Sequence, residues 1–158
     1  MARAICNSIG GSIPTRISNL VSLTELDLRS NLLIGNIPSS IGKLTNLNAL
    51  FLHENKLTGV IPSSVGNMTQ LLYLRLLNNN IEGSIPTSLG RCSHLQDVRL
   101  CHNKLNGTIP DQLFGLPLVQ INVSHNSLTN FLPPDFGNLR FLVALDVSYN
   151  KFSKKIPA

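Results

Sequence analysis

Aromatic and charged side chains are both scarce in this 158-residue sequence, at 5% and 13% of the total. A core must therefore be built from aliphatic side chains, with Asn, Ser and Gly supplying much of the polar surface. Only three cysteines are present, Cys6, Cys92 and Cys101. Their spacing fits neither a metal motif nor an even disulfide set, so no redox compartment follows from them. No apolar run approaches the roughly 18 residues of a spanning helix, and Met1 to Cys6 lack the apolar stretch of a signal peptide. Direct membrane insertion by this chain is not expected. Basic residues outnumber acidic ones 13 to 8 but are scattered, with only Lys154 and Lys155 adjacent. Nucleic acid, which needs a clustered basic stripe, is not an expected partner.

What the chain does have is aliphatic residues, within a hydrophobic content of 42%, and they are periodic. That content argues against disorder and suffices for one core, so residues 1–158 are expected to form a single domain. Asparagine recurs as Asn7, Asn31, Asn55, Asn79, Asn103, Asn126 and Asn150, at intervals of 24, 24, 24, 24, 23 and 24 residues. Before the last six stands the frame L-x-x-L-x-L-x-x-N, as in Leu23, Leu26, Leu28 and Asn31. All eighteen leucine positions are aliphatic, with only Val98, Ile121, Val123 and Val147 departing from Leu. Alternation over L-x-L is the period of a strand with one buried face. A unit of this length has no room for a strand and a long helix, so its return path must be short. These features predict an α/β solenoid, a curved right-handed superhelix with a concave parallel sheet and 3-10 or extended convex segments. It holds six full repeat frames and a partial N-terminal one, uncapped at both ends.

The repeated Asn stands where the chain turns inward after its strand and leaves backbone groups without ladder partners. Its amide both donates and accepts, so the seven asparagines are expected to form a structural ladder. After it come Gly and Ile-Pro, as in Gly35/Ile37-Pro38, Gly59/Ile61-Pro62, Gly83/Ile85-Pro86 and Gly107/Ile109-Pro110. Gly permits backbone conformations that other residues resist, and Pro fixes φ, so the pair steers the chain onto the convex side. Asn130 and Lys154 replace the Gly in the last two repeats, and the 23-residue interval loses a residue near Gly115-Leu116-Pro117. Irregularity is expected there.

The full pattern L-x-x-L-x-L-x-x-N-x-L-x-G-x-I-P-x-x-x-G-x-L resembles the plant-specific class of leucine-rich repeats across nearly the whole chain. Segments such as Asn55 to Asn67 and Leu89 to Leu95 are similar to ectodomains of plant receptor-like kinases, especially the immune-receptor group. The resemblance implies an extracellular sensor for a peptide or protein ligand, often with a co-receptor, at the plasma membrane or cell wall. The kinase and membrane helix of such a receptor would belong to a longer parent, of which this chain reads as a fragment. Polygalacturonase-inhibiting proteins share the repeat, so a secreted inhibitor of a cell-wall-degrading glycosidase is the alternative, and a structural spacer a third reading. Missing caps predict marginal stability or end-to-end association.

Residues between the frame leucines should face the concave side. Phe51, His53, Tyr73, Arg75, Leu77 and Arg99 put aromatic, aliphatic and basic side chains on adjacent strands, a composition typical of interface hot spots. Arg75 and Arg99 are expected as direct cross-strand neighbours, which is unfavourable unless Asp97 or an acidic ligand group compensates. An anionic or carboxylate contact is the functional expectation, and a solvated face with a local Arg and Asp pair the plainer one. The family's Arg-x-Arg carboxylate motif is absent, since Leu76-Leu77 and Leu100-Cys101 follow the two arginines. Sequons at Asn67, Asn106 and Asn122 mark candidate glycosylation sites in a secreted setting.

No cofactor or metal is expected. Cys101, His102 and His125 fall at neighbouring strand ends, but only three ligands can be named and a chance filling of variable positions explains them. Glu25 and Asp27 share a strand face, too open for paired-carboxylate chemistry. No G-x-S-x-G elbow accompanies the serines, and Gly10-Gly11-Ser12 lacks a phosphate-loop Lys. The chain reads as a binding module, not an enzyme.

Overall fold

The computed structural model describes residues 1–130 and 139–153. Each L-x-L unit forms a short strand, and the strands pair in parallel in chain order: Ala2–Arg3, Glu25–Asp27, Ala49–Phe51, Tyr73–Arg75, Asp97–Arg99, Gln120–Asn122 and Ala144–Asp146. The register is the repeat itself, with Leu26 opposite Leu50, Leu50 opposite Leu74, Leu74 opposite Val98 and Val98 opposite Ile121. Like therefore stacks on like. Leu50, Leu74, Val98 and Ile121 are all fully buried, and burying one such side chain stabilises by roughly 1.5–3 kcal/mol before entropy is counted.

After each ladder asparagine the chain makes a second, lateral strand. Gly10–Ser12, Leu32–Asn36 and Lys56–Thr58 form one parallel sheet, and Glu82–Ser84, Lys104–Gly107, Ser127–Asn130 and Lys151–Phe152 form another. A single bridge between Val60 and Glu82 links them. The glycines do what their frame positions imply. Gly35, Gly59, Gly83 and Gly107 have φ between +70° and +75°, and at Gly59 a Cβ would also collide with the Asn36 amide. Pro14, Pro38, Pro62, Pro86 and Pro110 each then open a 3-10 turn with the carbonyl as acceptor, as in Ile41 N to Pro38 O at 2.9 Å. The convex helices are Thr15–Asn19, Ser39–Lys43, Ser63–Asn67, Thr87–Arg91 and Asp111–Gly115.

The shortened repeat is absorbed at one residue. Leu20, Leu44, Met68 and Cys92 close their 3-10 helices with ψ between 51° and 72°, whereas Leu116 is extended with ψ 159°. The backbone of Asn130 ends the third strand of its lateral sheet, while Lys154, Lys155, Ile156, Pro157 and Ala158 lie outside the described residues.

The asparagine amides bridge repeats. Asn55 accepts from Leu33 N at 3.0 Å and donates to Leu28 O, Leu52 O and His53 O at 3.0 to 3.2 Å. The same set recurs at Asn31 and Asn79, and Asn150 reaches Val123 O at 2.9 Å while accepting from Leu128 N. Asn7 differs: it is exposed and donates to Ile5 O within its own turn. The residue before each ladder asparagine is left-handed, with φ between 52° and 57° at Cys6, Ser30, Glu54, Asn78, His102, His125 and Tyr149. Such a conformation costs a non-glycine residue on the order of 1 kcal/mol or more, and it persists because backbone bonds on both sides fix the turn. No common residue type marks that column, so the sequence does not announce it.

Candidate functional site

The concave sheet brings the six expected binding residues onto three adjacent strands, but it buries them unequally. Phe51, Arg75, Leu77 and Arg99 are half-buried and Tyr73 is exposed. His53 is only 8% exposed, as are its column neighbours Cys101 at 6% and Ser124 at 3%. That outer column sits where the strands turn inward, so only part of it faces solvent. Among the described residues, His53 Nδ1 is a buried side-chain atom with no hydrogen-bond partner. Burial holds the imidazole below its ordinary pKa, against the opposing pull of Glu54.

Phe51 is the centre of an aromatic shelf. Its ring lies 6.5 Å from that of Tyr73 at a tilt of 50° and 6.2 Å from that of His53, edge to face. The Arg75 guanidinium sits 5.1 Å above the Phe51 centroid, within cation–π range. Arg75 and Arg99 are direct register partners. Asp97, 7% exposed, relieves their repulsion by accepting from both. Arg75 donates Nε and Nη2 to Asp97 Oδ2 at 3.2 and 2.6 Å, and Arg99 donates Nε to Oδ1 at 3.0 Å. Arg99 Nη2 also donates to Gln120 Oε1 at 2.8 Å. The plainer expectation, a local Arg and Asp pair, is thus present, and it leaves one positive charge in the cluster uncompensated. Asp97 stands where the sequence placed a compensating acid, whereas Gln120 was legible only as a column member.

At the N-terminal side the acids are less open than their spacing suggested. Asp27 is 1% exposed and accepts from Arg29 N at 3.3 Å. Arg3 donates Nε to Glu25 Oε1 at 2.6 Å, and that hydrogen bond holds the Glu25 carboxyl below its usual range. Both carboxylates are occupied by cations, which supports no acid and base pair.

Of the three metal candidates, Cys101 is buried, and burial pushes its thiol pKa up, which disfavours the thiolate that ligates metals. His102 and His125 are exposed and stacked, with centroids 4.1 Å apart and planes within 13°, and Tyr149 continues the stack at 4.1 Å and 14°. Among the described residues no group of three or more His, Cys, Asp or Glu is placed to hold a metal ion. The recurrence of His, His and Tyr just before three successive ladder asparagines could have flagged this stack from sequence.

The sequons differ in access. Asn67 is exposed at the end of its 3-10 helix and accepts from Arg91 Nη2 at 3.1 Å, and Asn106 is exposed on a lateral strand. Asn122 is half-buried on the concave face, its Oδ1 accepting from Ser124 N and Oγ at 3.1 and 2.8 Å. Among the described residues no helix is long and apolar enough to cross a membrane.

Comparison with known proteins agrees with this geometry. Leucine-rich-repeat family models match residues 21–81, 94–116 and 117–139. No curated protein sequence is matched. Among solved structures, the ectodomain of the plant membrane receptor kinase GASSHO1/SCHENGEN3 from Arabidopsis thaliana, in complex with CASPARIAN STRIP INTEGRITY FACTOR 2, is 39% identical with a TM-score of 0.91. That match covers 94% of this chain and 18% of the receptor's. The Arabidopsis receptor kinase HAESA, in complex with the peptide hormone IDA and the co-receptor SERK1, is 33% identical with a TM-score of 0.91, covering 95% of this chain and 25% of that one. The BIR3 and SERK2 complex from Arabidopsis thaliana matches at 32% identity and a TM-score of 0.70, covering 96% of this chain and 68% of its own. The chain therefore spans a quarter or less of the two large receptors. Its stacked L-x-L strands, asparagine bridges and proline-led turns, together with these matches, place it in the leucine-rich-repeat family of plant receptor-like proteins.

Proposed function

We propose that this chain is a protein- or peptide-binding module, part of the extracellular ligand-sensing domain of a plant receptor-like kinase or receptor-like protein. The ligand lies along Phe51, His53, Tyr73, Arg75, Leu77 and Arg99. The observation that carries this reading is the cluster in which Asp97 orients two arginines beside the Phe51 shelf. Two guanidiniums held by one carboxylate keep donors free for an anion, and a preorganised guanidinium recognises carboxylate well. A peptide presenting a carboxylate next to an apolar side chain matches both halves of the surface. The similar receptors in complex with peptide hormones and with SERK1 support the same class of ligand and a co-receptor as second partner. In that setting the sequons at Asn67, Asn106 and Asn122 would carry glycans, and the signal would be one of plant defense or development relayed by a kinase in a longer parent.

The test is a binding screen of the full chain against secreted plant peptides, each with a free and an amidated C-terminus. Arg75→Glu and Arg99→Glu should each weaken capture of the selected peptide at least about tenfold, an amount close to 1.4 kcal/mol. Unchanged binding in both variants would remove the ligand from this surface.

A further inference from the structure

Outside the concave cluster, the described surface holds one pair of like ligand-type side chains fixed against each other: His102 and His125, the latter also stacked on Tyr149. We infer that these two imidazoles form a binding site for a borderline divalent transition metal such as Zn2+, at the rim of the sheet between consecutive repeats. The backbone makes the pair. Both residues are left-handed, with φ of 54° and 52°, and their N–H groups donate to Ser124 O and Ser148 O at 3.1 and 3.0 Å. Their side chains are therefore presented by turns that the solenoid repeats and locks, and the rings lie parallel 4.1 Å apart. Proximity of side chains in this column is general, since Ser30 Oγ donates to Glu54 Oε2 at 2.5 Å one repeat apart. Only at 102 and 125 does the same metal-ligating type fill consecutive repeats.

The ring nitrogens of both histidines make no hydrogen bond among the described residues, so their lone pairs are not already spent. Neutral imidazole nitrogen is the commonest protein ligand for Zn2+, Cu2+ and Ni2+. A parallel stack does not itself chelate. Rotation of the two exposed rings about Cβ–Cγ opens the stack and turns the in-plane lone pairs toward one ion, for which Zn–N is about 2.0–2.1 Å. With no third protein donor in place, water fills the remaining positions, and a donor atom from a bound partner can replace it. Asp146, whose Oδ1 accepts from Ser148 N and Oγ at 3.0 and 2.7 Å, places an acidic side chain on the following strand. Cys101 takes no part.

The experiment titrates ZnCl2 into the full chain in a non-coordinating buffer near pH 7.5, followed by calorimetry and by imidazole NMR shifts. One Zn2+ per chain is expected, with the His102 and His125 signals moving together. Affinity should fall about tenfold or more in either His102→Ala or His125→Ala. His94→Ala should leave it unchanged, because that ring already faces Thr69 O at 3.1 Å. Absence of saturable binding overturns the site, as does full affinity in both alanine variants or a response centred on His94.

Discussion

Arg75 lays its guanidinium side-on against one oxygen of Asp97, Nη2 at 2.6 Å and Nε at 3.2 Å, while its own cross-strand partner Arg99 takes the other oxygen. A single carboxylate thus decides whether two like charges can occupy neighbouring strands. Asp97→Asn keeps the shape and removes the charge. It should destabilise the chain by about 1–3 kcal/mol, less than a fully buried pair because the arginine side chains remain 26% and 34% exposed. Adding Arg75→Met should return much of that loss, a coupling that urea unfolding of the two single variants and the double variant would measure.

The asparagine ladder offers a sharper contrast. Asn55→Ala strips the partner from Leu33 N and from the Leu28 and Leu52 carbonyls in a buried turn, which should cost about 2–4 kcal/mol. Asn7→Ala removes one exposed bond to Ile5 O and should stay within about 0.5 kcal/mol. Equal effects in thermal or urea melts would mean that the repeat asparagine acts by something other than its inter-repeat bonds.

Stability should also respond to mild acid through His53. Its folded pKa lies below the ordinary 6.5 because burial disfavours the charged ring. Between those two values the unfolded chain binds the extra proton, so stability is full above about pH 6.5 and declines as pH falls through the folded pKa. His53→Leu should flatten that limb of the profile. Glu25 and Asp146, both lowered from ordinary values near 4, act only in stronger acid, so the two regions separate in a series of melts across pH.

The repeat frame alone determined a good deal: the strand positions, the parallel register, the aliphatic core, the glycine turns and the 3-10 turns that follow the Ile-Pro steps from Pro14 to Pro110. These follow from period and stereochemistry, because a residue type repeated every 24 positions meets itself in the next coil whatever fills the variable sites. The glycines at φ of +70° to +75° were legible for the same reason, since one residue type answers a demand of the backbone. Tertiary structure decided the rest. The left-handed column before each asparagine is imposed by bonds to neighbouring coils, so residues as different as Cys6, Glu54 and Tyr149 adopt it. Burial of His53 and Asp27 and the sharing of Asp97 between two arginines depend on side-chain direction and on what the adjacent coil presents. Periodicity places residues in columns; only packing determines which members of a column touch, which are covered and which remain free to bind.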